Sequence, residues 1–334
     1  MEIQKIYTDD NKIITAFAES RIGGRPENQD SYGWSDTRHG YLVTVCDGMG
    51  GGPGGKTAST IAVKEIITTV AESDTDEEPA NILIKAVRRA NLTIIETASH
   101  NSALKGMGST ATVLLINEHA AYVAHVGDSR IYQIRKGQKV FRTFDHSLVF
   151  EMVAQGVITE EQARLSAQSN VITRALGIKQ NVDVEVHELP YRKGDRFMLC
   201  SDGIHGIMPE KELLKMLAGR HQQPAATVDN IATFVDNTGF SEGGRHDNLT
   251  LAIVETTINS QLKPKMTMRQ KIILAALSVI ALASISINVV QCQRVGGEVK
   301  DSKVSEIEKV LKDGKYKDST YSALSDTLNK IINK

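Results

Sequence analysis

At 334 residues, with 41% hydrophobic and 24% charged content, the chain has room for one large globular domain with an addition, or for two ordinary domains. A net charge of −1 excludes the basic excess of a general nucleic-acid binder. Cys46, Cys200 and Cys292 lack metal-ligand spacing and form no disulfide framework. Cys46 and Cys200 fall inside apolar runs and read as small buried hydrophobes, which fits a reducing compartment.

The N-terminus, MEIQKIYTDDNK, has no apolar signal-peptide core. Alternation and β-branched enrichment predict strands over Ile13–Ser20, Gly40–Cys46, Ala111–Asn117, Ala120–Val126 and Arg130–Arg135. The same signals predict Val182–Glu188, Arg196–Cys200 and Leu249–Glu255. Helical periodicity marks Ala58–Val70 and Ala80–Ser99 as a helix pair joined by the acidic, solvated loop Glu72–Pro79. Further helices are expected at Ser147–Gln155, Thr159–Ser166, Lys211–Ala218 and Pro224–Asn237. Short strands with tight turns, rather than a repeating strand–helix rhythm, imply an α+β domain over residues 1–258. Its expected core is a central antiparallel β-sandwich flanked by helices, in an α-β-β-α arrangement.

A basic linker follows over 259–271, and composition then changes abruptly. Residues 272–290 read IILAALSVIALASISINVV, with no charge between Lys271 and Arg294. As a helix this run spans about 28 Å, enough for a bilayer's hydrocarbon core, so one C-terminal transmembrane helix is expected. A buried helix of a soluble core is the weaker reading, because the run is apolar on every face and bracketed by basic residues. Lys263, Lys265, Arg269 and Lys271 precede it without an acidic neighbour, whereas Arg294, Lys300 and Lys303 are interspersed with Glu298 and Asp301. That bias places the large domain in the cytoplasm and the 291–334 tail outside, in a single-pass membrane protein. Leu324, Leu328 and Ile331 would share one face of a short amphipathic helix in the tail.

Five aspartates sit where strand-like runs meet turns: Asp30 in RPENQDS, Asp47 in VCDGMGG, Asp128 in VGDSR, Asp202 in LCSDG and Asp247 in RHDNLTL. Any one alone reads as a structural turn residue. Carboxylates beside buried strands are costly unless protonated, paired or bound to a cation, and an array of them suits hard divalent ions. Gly48, directly after Asp47, lets a main-chain carbonyl approach a ligand closely. The run GGPGGKT lacks the spacing of a phosphate-binding P-loop.

Taken in order, RPENQDS, DGMGG, GSTAT (Gly108–Thr112), GDSR, DHSLV (Asp145–Val149), TRALG (Thr173–Gly177), SDG and DN resemble the metal-dependent type 2C protein serine/threonine phosphatases, the PPM family, in its bacterial branch. The resemblance covers roughly residues 10–256 and excludes the apolar run and tail. It implies two antiparallel sheets flanked by helices, with two Mn²⁺ or Mg²⁺ ions at one end. Asp47 would bridge both metals, the Gly48 carbonyl would bind one, and Asp202 with Asp247 would complete the other's shell. Asp30 would act mainly through water on the metals, Asp128 with Asp202 would hold a third, weaker ion, and Arg25 would clamp the substrate phosphate. The catalytic set implied is therefore Arg25, Asp30, Asp47, Asp202 and Asp247. Residues 147–177 resemble the family's mobile flap.

Three positions depart from the family pattern: Gly52 replaces a common histidine, Lys56 a common glutamate, and Gln29 precedes Asp30 where many members carry glutamate. These departures shift the expected chemistry from a side-chain acid towards water, and His146 and His246 read as structural. The expected activity is hydrolysis of phosphoserine and phosphothreonine in protein substrates, with membrane-associated serine/threonine kinases among the partners. A catalytically silent, membrane-tethered phosphoprotein-binding scaffold would lack metal ligands, and here the ligand set is complete. A metal-dependent nuclease would share the two-metal chemistry, but the motif order opposes it.

Overall fold

The computed structural model describes residues 4–7, 13–50, 52–219 and 223–263. Its strands are β1 (Gln4–Tyr7), β2 (Ile14–Arg21), β3 (Ser31–Thr37), β4 (Gly40–Cys46), β5 (Gly48–Met49), β6 (Gly108–Ser109), β7 (Ala111–Ile116), β8 (Ala121–Val126), β9 (Arg130–Arg135), β10 (Gln138–Arg142), β11 (Glu185–Leu189), β12 (Arg196–Cys200) and β13 (Leu249–Thr256). The helices are α1 (Gly52–Glu72), α2 (Pro79–His100), α3 (Leu148–Ala154), α4 (Glu160–Arg164), α5 (Asp202–Ile207), α6 (Glu210–Leu217) and α7 (Pro224–Ser241). One sheet has the order β1-β2-β13-β12-β9-β10, a second β11-β8-β7-β4-β3, and β5 pairs with β6 alone. Every strand pairing is antiparallel.

Side-chain alternation explains the layering, because successive residues of a strand face opposite sides. In β4, Val43 and Val45 pack between the sheets, while Leu42 and Cys46 face the α1–α2 pair. In β7, Leu114 and Ile116 point inward and Val113 and Leu115 towards the helices. The other sheet repeats the scheme: Phe197 and Leu199 of β12 meet the inter-sheet core, and Met198 and Cys200 meet α5, α6 and α7. Both faces of each central strand are therefore apolar, and four layers result, α-β-β-α.

Most predicted elements occur within a few residues of their expected bounds, and three unpredicted ones matter. Strand β3 has Gly33 at its centre, where a Cβ would sit 2.6 Å from Val63 Cγ1 of α1. That close approach requires glycine and also breaks the alternation by which a strand is read. Strand β10 lies largely exposed at a sheet edge, so it carries no apolar face to detect. Helix α5 begins at Asp202 itself, so this aspartate opens a helix rather than sitting in a simple turn. The strand expected from Val182 starts only at Glu185, where pairing with His125 begins.

The described residues all fall within one compact unit. In it, backbone bonding continues beyond Glu255: Ser260 N–H reaches the Tyr191 carbonyl and Leu262 N–H the His119 carbonyl. Among the described residues no helix is long and apolar enough to cross a membrane. The 272–290 run and the tail helix lie outside the described residues.

Leu114 is fully buried between the sheets. Leu114→Ala is expected to cost about 2–5 kcal/mol of unfolding free energy, read from the urea midpoint at constant m-value.

Candidate active site

Asp47 occupies the one-residue break between β4 and β5, and its backbone is held on three sides. Its N–H donates to Thr110 Oγ1 (2.9 Å), while its carbonyl accepts from Thr110 N–H (2.8 Å) and Ser109 Oγ (3.0 Å). Thr110 Oγ1 also shares a hydrogen bond with Ser129 Oγ (2.7 Å), next to Asp128. The GSTAT, DGMGG and GDSR motifs thus form one interlocked structure. Gly48 is required by crowding, since a Cβ there would stand 2.0 Å from the Gly55 carbonyl oxygen. Gly50 is the residue that meets the turn's backbone demand, with φ +124°.

Asn248 fixes the Arg25 loop from beneath. Its Nδ2 donates to the carbonyls of Ile22 (2.7 Å) and Glu27 (2.9 Å), and its Oδ1 accepts from Gln29 N–H (2.9 Å). Gly23, at φ +61°, turns where a side chain would strike the Asp247 carbonyl oxygen at 2.1 Å. The loop thereby brings Arg25 Nη2 to 2.7 Å from Asp247 Oδ2. Both groups are substantially exposed, so the pair orients Arg25 more than it stabilises the fold.

Arg25, Asp47, Gly48, Asp128, Asp202 and Asp247 all line one cleft of about 410 Å³. Asp30 stands behind it, almost fully buried, with Oδ2 accepting from Ser201 Oγ at 2.8 Å. Lys56 Nζ donates to the Asp30 carbonyl (2.7 Å) and to Ser31 Oγ (3.1 Å). From the flap, Asn170 and Ile172 reach the cleft. Ser201, Thr110 and Asn248 lie within or beside motifs read from the sequence, but their supporting bonds needed the fold. Lys56 was visible only as a departure. His246 is buried against Asp236 Oδ1 at 2.9 Å and serves structure.

Gathering these carboxylates has an electrostatic consequence. Burial, then the charges of Asp30, Asp202 and Asp128, push the Asp47 carboxyl well above the ordinary range. Burial, then Asp202 and Asp145, do the same to Asp128. Asp202 is pushed up to about 7 by burial and by Asp247, and Asp30 to about 6 by burial, partly offset by hydrogen bonds from Thr250 and Ser201. Asp128 Oδ1 and Asp202 Oδ1 are buried without a hydrogen-bond partner. Unpaired, desolvated carboxylate oxygens next to a bare glycine backbone form a hard, all-oxygen donor set, which fits Mg²⁺ or Mn²⁺. A different environment treats Asp145: burial raises its carboxyl, but the two-pronged bond from Arg130 (2.7 and 2.6 Å) overrides this and holds it below the usual range.

A sandwich ending in a carboxylate-lined cleft with an arginine at its rim suits a metal-dependent phosphohydrolase. Residues 19–238 match the family model described as protein phosphatase 2C. The serine/threonine phosphatase stp of Listeria monocytogenes is 32% identical over 241 residues, covering 71% of this chain and 93% of that protein. The structure of the S. agalactiae serine/threonine phosphatase superposes with TM-score 0.65 at 31% identity, covering 73% of this chain and 99% of that one. The PstP catalytic domain, solved in complex with 2 manganese ions, gives TM-score 0.61 at 28% identity, covering 73% of this chain and 98% of that one. The chain belongs to the protein phosphatase 2C family and is a bacterial-type serine/threonine phosphatase.

The raised carboxyl groups fix a sign. Stability from a carboxyl whose folded pKa is raised is fully present below its unfolded pKa and is lost as pH rises through the folded pKa. For Asp30 and Asp202 that window runs from about 4 to about 7. His146 and His205, whose charged forms burial disfavours, act in the opposite sense, losing stability as pH falls below the usual histidine value of about 6.5 and so across most of this range. The diagnostic is therefore a difference: in chelator, Asp202→Asn is expected to melt higher than wild type at pH 7.5, with the gap closing at pH 4.5. Mn²⁺ is expected to raise the wild-type melting temperature far more than that of Asp202→Asn at pH 7.5.

Proposed function

We propose that this chain is a membrane-anchored phosphatase that removes phosphate from serine and threonine residues of proteins, using Mn²⁺ or Mg²⁺. The observation that carries the catalytic part is the convergence of Asp47, Asp128, Asp202, Asp247 and Arg25 on one cleft. Asp47, the Gly48 carbonyl, Asp202 and Asp247 would hold two ions, with Asp128 and Asp202 serving a third. When bound, the ions supply the charge that makes hydroxide available from water near neutral pH.

The protein's own groups divide the remaining work. Arg25 stands at the exposed rim, its guanidinium oriented by Asp247, where it binds phosphoryl oxygens and positions the ester. Asp30, backed by Ser201 and by Lys56 on its own carbonyl, offers a buried acceptor to water entering from the cleft. The described residues lining the cleft include no serine, threonine, cysteine or histidine. With the cleft's aspartates engaged by the ions, water is left as the attacking group, and the departing serine or threonine oxygen takes its proton from water.

Anchoring rests on the uncharged run 272–290 and the basic residues before it. It places the catalytic domain at the cytoplasmic face and the tail outside, with substrates drawn from membrane-associated phosphoproteins such as receptor-type serine/threonine kinases.

Mn²⁺-dependent hydrolysis of a phosphothreonine peptide by the full chain is expected to fall to background in Asp47→Ala and in Asp202→Ala. Arg25→Ala is expected to raise KM chiefly, and Asp128→Ala to have an effect that varies with metal concentration. Equal activity in wild type and the Asp47→Ala, Asp202→Ala double variant would overturn the catalytic reading. For the anchor, full chain is expected in the carbonate-resistant membrane pellet and a chain lacking 272–290 in the supernatant. Digestion of residues 1–250 by protease added to the non-cytoplasmic side would reverse the orientation.

A further inference from the structure

We propose that His125, His146 and Glu185 form a second cation site, separate from the catalytic carboxylates and suited to a borderline transition metal of the Zn²⁺ class. The three come from β8, the segment before α3, and β11, and one donor atom from each lies within 4.8 Å of the others. None lines the catalytic cleft.

His125 carries the argument. It is fully buried, and its Nε2 lies 2.9 Å from the Ser129 carbonyl oxygen, which can only accept, so Nε2 holds the ring proton. Nδ1 is therefore a lone pair. It has no hydrogen-bond partner and faces Glu185 Oε2 at 3.8 Å. A buried lone pair opposed to a carboxylate is repulsive unless a cation lies between them. A ring nitrogen tied to a backbone carbonyl while the other faces a carboxylate is the arrangement that metal-binding histidines use. Glu185 is held in turn by His187 Nε2, 2.5 Å from Oε1, leaving Oε2 directed at the other two rings.

His146 supplies the third donor through a proton shift. Its Nδ1 accepts from Gly127 N–H (3.1 Å), so its proton rests on Nε2, 3.2 Å from Glu185 Oε2. Cation binding at Nε2 moves that proton to Nδ1 and releases the Gly127 N–H, with no net proton change. Arg174 Nη1, 3.2 Å from Nε2, is displaced towards Asp183, whose Oδ2 already lies 3.4 Å from Arg174 Nη2. Two histidines and one carboxylate match Zn²⁺, whereas the cleft's all-oxygen set favours Mn²⁺ or Mg²⁺. Occupancy would be felt at two places. Gly127 immediately precedes Asp128, and the His146 backbone joins the Gly127 carbonyl and Thr173 N–H at the base of the flap.

The test uses full-length protein in detergent carrying Asp47→Asn and Asp202→Asn, so that the catalytic carboxylates do not dominate binding. Co²⁺ titration is expected to give one ion per chain with the intense visible band of a four-coordinate N/O site, displaced by Zn²⁺. Glu185→Gln and His125→Gln are each expected to weaken binding by about 10-fold or more. Glu185 is half-buried on an edge strand, so Glu185→Gln retains its melting transition and stays informative if His125→Gln does not fold. Zn²⁺ is also expected to speed hydrogen exchange at the Gly127 amide, which loses its acceptor. Absence of the four-coordinate band, as a proton shared between His125 and Glu185 would produce, overturns the proposal. So does Co²⁺ affinity unchanged in folded Glu185→Gln.

Discussion

Mutual repulsion among desolvated carboxylates is the constraint around which this molecule is arranged. Asp30, Asp47, Asp128 and Asp202 come from four separated stretches of chain, yet each raises the pKa of at least one of the others or has its own raised by them. Such an assembly opposes folding at neutral pH unless cations occupy it, so the remainder of the domain must supply the compensating stability. The α-β-β-α sandwich does this by making its central strands apolar on both faces. The carboxylates fall at or near strand ends, where the chain leaves the core and water and ions have access.

Rigidity at those ends comes from polar bonds between motifs far apart in sequence. Thr110 holds Asp47 and is itself tied to Ser129, beside Asp128. Arg130 and Asp145 form a buried two-pronged pair joining the GDSR turn to the segment just before the flap. Removing one partner of such a pair typically costs about 3–5 kcal/mol, because the other charge remains buried and uncompensated. Asn248 performs the same service for the Arg25 loop with three hydrogen bonds. Lys56 brings a cation to the Asp30 carbonyl and so helps hold the segment that carries this carboxylate.

Strands such as Gly40–Cys46 and Arg196–Cys200 were legible to the residue, because continuous apolar runs flanked by Asp-Gly turns leave few alternatives. Strand β3 was not, because the packing of α1 that demands Gly33 is a tertiary event. The five aspartates and Arg25 could be named from motif order, and the structure brings all but Asp30 onto one cleft surface, with Asp30 immediately behind. The supports could not be assigned in advance: a threonine, a serine or an asparagine has no chemical signature until its partner is known. His125, His146 and Glu185 were even less visible, since nothing in their spacing sets them apart from ordinary strand and loop residues.

The sequence by itself determined the layer scheme, the membership of the carboxylate set and the apolar run after residue 271. Each is written in local composition, alternation or motif order. Only tertiary structure decided which carboxylates are desolvated and which pair with a cation, and hence that Asp202 is raised while Asp145 is lowered. It also decided that Gly48 is required by crowding and Gly50 by its backbone angle, and that Arg25 rests on Asp247. The physical reason is the same throughout: desolvation and Coulomb energy depend on distance in space, and separation along the chain does not encode that distance.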